Sequence, residues 1–186
     1  QSLREPLPVP VVYNCGGYES VHTVAFLRKK IQCWLPDLKY SLREPAARYS
    51  DAPDYFEKAI AAIEQMYRQT GPYEIGSDGI LKKGVLIRHL ILPGNLENTK
   101  GVLRYVAETF APGQVLFSLM RQYVPWGRAA EFPEINLTEE EYNEAEACME
   151  ELGIVDGYTQ EADSSDAVYI PAFNGAGVRE PSKEEF

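Results

Sequence analysis

Five polar residues stand where a strand-rich chain could use them for binding: Asn14, Asp37, Lys39, Arg88 and Gln122. Each follows or interrupts an apolar run: Val9–Tyr13, Ile31–Trp34, Val85–Leu92 and Val115–Met120. In a parallel sheet the C-terminal ends of successive strands line one mouth, the place where open α/β sheets and barrels hold ligands. One carboxylate among cations and carboxamides suits a small zwitterionic or anionic ligand better than a metal. Alternation along a strand predicts that Asp37 and Lys39 point one way and Leu38 the other. Arg88 shares its face with apolar Leu86, so it needs a partner if covered, and Asp37 is the nearest in strand order. Two plainer roles stay open: Asp37 and Lys39 as an ion pair closing a loop, and Arg88 as a tie between strands.

Other reactive residue types are less suggestive. His89 is expected to face a helix layer as a satisfied packing histidine, and His22 falls on a helix. Cys15 lies beside Gly16-Gly17, but no histidine is tied to it, so burial is the expectation. Cys33 and Cys148 fall in a strand and a helix. Pro93-Gly94 could form a phosphate-binding turn, which would make the chain a phosphate-binding barrel enzyme.

The elements that would position these residues alternate strand and helix. Pro36 is expected to stop the Ile31 strand, having no N–H to give the ladder. Helices are predicted over Glu19–Lys30, Ser41–Tyr49, Tyr55–Gln69 and Leu96–Phe110. Asp54 would cap the third of these, whose apolar stripe is Phe56, Ile60, Ile63 and Tyr67. Residues 72–83 form a small hairpin inserted before the strongest strand, around the turn Ser77-Asp78-Gly79. Thr138 with Glu141 is a capping box opening a helix to Leu152, and Ile154-Val155 would add an edge strand. Residues 159–186 read as an extended tail. The fold class is α/β: a truncated, partial (β/α) TIM-like barrel whose parallel sheet is flanked by helices.

With 186 residues the chain makes one domain able to bury a core. A net charge of -10 repels phosphate backbones and anionic lipid, so no nucleic acid and no membrane is expected as partner. The three cysteines are odd in number and widely spaced, which argues against a disulfide framework and for a reducing, cytoplasmic setting. A strand begins within eight residues of Gln1, which predicts missing upstream sequence and an exposed sheet edge. That edge could pair with a second copy in a homodimer.

The segments PVVYNCGGYES, LPDLKY, RHLILPG and SLMRQYVP, in that order, resemble the later part of radical SAM proteins related to pyruvate formate-lyase activating enzyme. The likeness runs from about Leu7 to Phe173, and the closing YIPAFNGAGV is similar to the end of that group. It implies a partial barrel that uses S-adenosylmethionine (SAM) and a [4Fe–4S] cluster held on CxxxCxxC. Reductive cleavage then gives a 5′-deoxyadenosyl radical, which in activating enzymes takes hydrogen from a glycyl-radical protein partner. On this likeness Asp37 and Lys39 border the SAM site and Arg88 reaches its carboxylate or ribose, while Asn14 and Gln122 line the pocket. The chain departs from the pattern in lacking CxxxCxxC and the early glycine-rich segment. The expectation is therefore a fragment that is catalytically silent alone, and the competing one is a non-catalytic α/β ligand-binding or interaction module.

Overall fold

The computed structural model describes residue 7 and residues 9–121 and 137–159. Eleven elements follow in order: β1 (Val12–Cys15), α1 (Val21–Phe26), β2 (Cys33–Pro36), α2 (Arg43–Ser50), α3 (Tyr55–Thr70), β3 (Glu74–Ile75), β4 (Leu81–Leu90), α4 (Leu96–Thr109), β5 (Leu116–Met120), α5 (Glu139–Glu151) and β6 (Gly157–Tyr158). They build one sheet in the order β1-β2-β4-β5-β6, with β3 attached to β4. All pairs along that path are parallel, and only β3 runs antiparallel, against the start of β4. This is the expected α/β class, a parallel sheet with flanking helices.

The helices gather on one side. Trp34 and Leu38, Val85 and Ile87 of β4, and Phe117 and Leu119 of β5 form one buried cluster with Ala59, Ile63 and Met66 of α3 and Leu103 of α4. All five described helices put buried residues into that cluster. The other face carries Leu35, Asp37, Leu86, Arg88, Leu90, Ser118 and Met120, every one of them half-buried. Strand β4 therefore alternates buried and half-buried residues from Val85 to Leu90, as the two-residue period of a strand requires.

Several boundaries differ from expectation. Strand β1 starts at Val12, not Val9, and extends to Cys15. Pro10 brings no donor, and the ladder is entered at Val11, whose carbonyl accepts from Gln32 and Cys33. Helix α1 spans only Val21–Phe26, capped by the Ser20 side chain on the His22 amide. Lys29 then takes φ 65°, a left-handed conformation that no helix continues through. Asp54 stands at the start of α3 without capping it by side chain. Its carboxylate instead accepts from Tyr18 and Lys58, which hold its pKa below the usual range. The buried stripe of α3 is Tyr55, Ala59, Ala62, Ile63 and Met66, while Phe56, Ile60 and Tyr67 flank it half-buried.

Strand β2 ends at Pro36, as expected, although hydrogen bonding continues past it. The Asp37 amide still donates to the Cys15 carbonyl (2.9 Å), and Leu38 donates to Arg88 (2.8 Å). What Pro36 does is remove one rung toward β4. Pairing runs through Cys33↔Gly84 and Trp34↔Val85, lapses, and resumes in the same register at Asp37↔Arg88. The capping box of α5 forms as expected, with the Thr138 side chain on the Glu141 amide and the Glu141 carboxylate on Thr138. The last strand is Gly157–Tyr158 rather than Ile154-Val155, because Asp156 supplies the carbonyl that meets the Phe117 amide.

Candidate functional site

Strands β1, β2 and β4 end side by side and in register, and this brings four of the five expected site residues into one cluster. Arg88 donates through Nη2 to Asn14 Oδ1 (2.7 Å) and to Asp37 Oδ1 (2.5 Å). The Lys39 ammonium stands 3.5 Å from the other Asp37 oxygen. Asp37 and Lys39 share a face and Leu38 is fully buried behind them, as strand alternation requires. Gln122 lies outside the described residues. Their structural roles are thus partly as expected from the plainer view: Arg88 does tie β4 to both β1 and β2.

Exposure shows what is left over for a ligand. The Asp37 side chain is 16% exposed and that of Arg88 25%, whereas Lys39 is 44% exposed. A carboxylate this enclosed is held by its cations. The cluster has one carboxylate and two cations, so the mouth is locally positive on an acidic chain. Arg88 Nε is buried and makes no hydrogen bond, an uncommitted donor within the cluster. Beside the mouth the backbone is opened by Gly16 and Gly17. A Cβ on Gly17 would come within 1.9 Å of the Asp37 carbonyl oxygen, and its φ of 81° also demands glycine.

His89, the next residue after Arg88, points the opposite way. It is wholly buried and satisfied, with Nδ1 2.7 Å from the Leu38 carbonyl and Nε2 3.0 Å from Thr99 Oγ1. Burial lowers its pKa to about 4. Cys15 faces the helix layer, and burial pushes its thiol up to about 11, which removes it as a nucleophile near neutral pH. At Pro93-Gly94 the Gly94 amide is already taken by Glu141 (2.7 Å), and a carboxylate there opposes a phosphate.

Two residues at the site were not singled out from the sequence. The Tyr55 hydroxyl sits 2.8 Å from the Gly16 carbonyl, 2.9 Å from the Asp37 carbonyl and 3.1 Å from the Lys39 amide. The Asn98 carboxamide takes the Ser41 and Leu42 amides and donates to the Lys39 carbonyl. Asn98 could have been found as a polar residue inside the apolar stripe of α4. Tyr55 could not, because a tyrosine opening an amphipathic helix looks like packing.

A second depression of about 180 Å³ lies at the other end of β5, between α4 and the loop before β6. Its walls are more apolar than polar, and its Asp156 is engaged by Tyr73 and Gly113. Among the described residues no three His, Cys, Asp or Glu side chains are placed to hold a metal ion. Likewise, no described helix is long and apolar enough to cross a membrane.

The class these features define is an α/β domain with one helix-covered sheet face, one face that no described helix covers, and a charged cluster at the strand ends. Its fold is similar to a solved domain of pyruvate-formate lyase-activating enzyme from Bacteroides vulgatus, with a TM-score of 0.50 at 15% identity over 75% of this chain and 74% of that one. At that identity the likeness shows the fold. A curated relative, an uncharacterized protein of Methanocaldococcus jannaschii, is 28% identical over 140 residues. The match takes in 74% of this chain and 37% of the relative, so the chain spans little more than a third of that protein's length. No family model matches the chain.

Proposed function

We propose that this chain is the SAM-binding wall of a radical SAM enzyme of the activating-enzyme type. The observation that carries the proposal is the cluster of Asn14, Asp37, Lys39 and Arg88 at the ends of three adjacent parallel strands, in a fold similar to an activating-enzyme domain. The donor set fits the group. Lys39 and the exposed part of the Arg88 guanidinium would take a carboxylate, and Asp37 and Asn14 would accept from an ammonium or from ribose hydroxyls. Arg88 Nε is buried without a partner, so a ligand would meet it only if the guanidinium shifted.

The same test goes against the iron–sulfur cluster. Cys15 faces the helices, Cys33 is on the opposite face with its thiol toward the Leu81 carbonyl, and Cys148 is on α5. Three thiolates converging on one cluster are not available from these residues. The cofactor supplies radical chemistry in enzymes of this class. The residues described here bind and orient it and keep its charged end paired. On this proposal the parent enzyme acts on a glycyl-radical protein.

Calorimetry with S-adenosylmethionine tests the reading. The chain is expected to bind with a dissociation constant of about 0.1 mM, set by the amino-acid end alone. Absence of measurable heat from wild type would leave the non-catalytic module as the better account.

A further inference from the structure

We propose that Tyr55 and Asn98 are positioning residues: they fix the backbone of Asp37 to Leu42, and so set where the Asp37 and Lys39 side chains meet Arg88. This rests on the SAM-binding reading only for its ligand, since the geometry stands without it. The segment after β2 has few ladder bonds of its own, because Pro36 removes one and β2 ends there. Three side chains replace them. Tyr55 reaches up from the first turn of α3 and spans the Gly16, Asp37 and Lys39 main chain. Its single proton serves one carbonyl at a time, while its oxygen accepts the Lys39 amide. Asn98, wholly buried in α4, uses both ends of its carboxamide: Oδ1 accepts the Ser41 (2.8 Å) and Leu42 (3.2 Å) amides, and Nδ2 donates to the Lys39 carbonyl (2.9 Å). His89 holds the Leu38 carbonyl between them.

Successive backbone groups at 37, 38 and 39 are thus held by side chains from α3, β4 and α4 in turn. A loop needing only to be covered would be served by apolar contacts. Here buried polar groups are matched one to one, an arrangement that fixes position and is costly when partly undone. Tyr55 is itself locked, stacked on Tyr18 with ring centroids 5.9 Å apart and edge-on to Tyr40 at 5.1 Å. Gly17 packs against the same hydroxyl, since a Cβ there would be 2.9 Å from it. The Gly16-Gly17 turn and the Asp37–Lys39 segment are therefore joined through one oxygen atom.

Tyr55→Phe deletes that oxygen and keeps both ring contacts. Asn98→Asp keeps the acceptor for Ser41 and Leu42 and loses the donor to Lys39, while Asn98→Ala loses everything. Two readouts on the full chain separate positioning from mere stability. The first is NMR of the Arg88 Nε–H and the Lys39 amide, which needs no ligand. Tyr55→Phe is expected to shift and broaden both signals in a chain that still melts cooperatively, and Asn98→Asp is expected to restore the Arg88 signal relative to Asn98→Ala. The second is S-adenosylmethionine titration, where Tyr55→Phe should weaken binding about fivefold and be non-additive with Lys39→Ala. Unchanged Arg88 and Lys39 signals in Tyr55→Phe would overturn the proposal, whatever the melting temperature does. If wild type shows no binding but the signals move as expected, the positioning role stands and the SAM-binding reading falls. If Tyr55→Phe does not fold, the two Asn98 variants decide by the same signals.

Discussion

Arg88 and His89 are neighbours in one strand and have opposite surroundings. His89 faces the helix-covered side, has no exposed surface, and finds both of its partners inside the protein. Arg88 faces the open side, is 25% exposed, and keeps a nitrogen without a partner. A single step of the β pleat separates a finished polar contact from an unfinished one. The comparison teaches that a polar residue at a strand end is informative when its hydrogen bonds are incomplete, and that burial alone marks the inert one. His89 has the perturbed pKa, yet Arg88 is the one with a donor left over.

The largest expected effect tests the closed side. Because burial lowers the His89 pKa to about 4 against a usual value near 6.5, the unfolded chain binds the extra proton between those values. The stabilising effect of the neutral ring is fully present above pH 6.5 and is lost as pH falls through 4, amounting to about 3 kcal/mol. Denaturant titrations across that window should show the slope, and His89→Gln should flatten it. A wild-type slope matched by the variant would assign the acid sensitivity elsewhere.

Next in size is the open side. Arg88→Ala is expected to weaken S-adenosylmethionine binding at least tenfold, about 1.4 kcal/mol, and to leave the Asp37 carboxylate without its closest cation. Equal binding by wild type and variant, measured by calorimetry, would make Arg88 a strand tie and nothing more. If the comparison is sound, His89→Gln should alter binding far less than Arg88→Ala while altering stability more.

A smaller effect is predicted for the rim. Lys39→Ala removes a charge that is 44% exposed and screened by solvent, so binding should fall only about threefold. Its loss should be hidden by added salt, which would distinguish it from Arg88. The smallest concerns the sheet edge at β1, where Val9 and Val12 are 62% and 52% exposed. We expect weak self-association through that edge, reduced by Val12→Lys in light scattering. A monomer at all concentrations would remove it from consideration.

Much of this arrangement could be read in the residues. The strand–helix alternation, the strand carrying Arg88, the shared side of Asp37 and Lys39, and the inward His89 all follow from a two-residue period and from paired charges. The lengths of α1 and β1 could not, because they depend on a left-handed Lys29 and on where Val11 meets Gln32. The rotation of α3 was missed since its alanines count for little in an apolar stripe, although small side chains are what close packing selects. Tyr55 escaped notice for a different reason: its partners are backbone atoms, which leave no trace in residue types, whereas Asn98 was legible as a polar residue in an apolar stripe.

One consequence comes from the ring at Pro36. The donor it lacks would have faced the Leu86 carbonyl, one pleat below Arg88, so the lips of the mouth hang above a missing stitch. Above it the Asp37↔Arg88 bridge, the Leu38 amide on the Arg88 carbonyl, the Arg88–Asp37 ion pair and His89 on the Leu38 carbonyl fasten that side again. Spreading Asp37 from Arg88 therefore means breaking several bonds at once, so the gap at Pro36 is bounded by firm seams above and below.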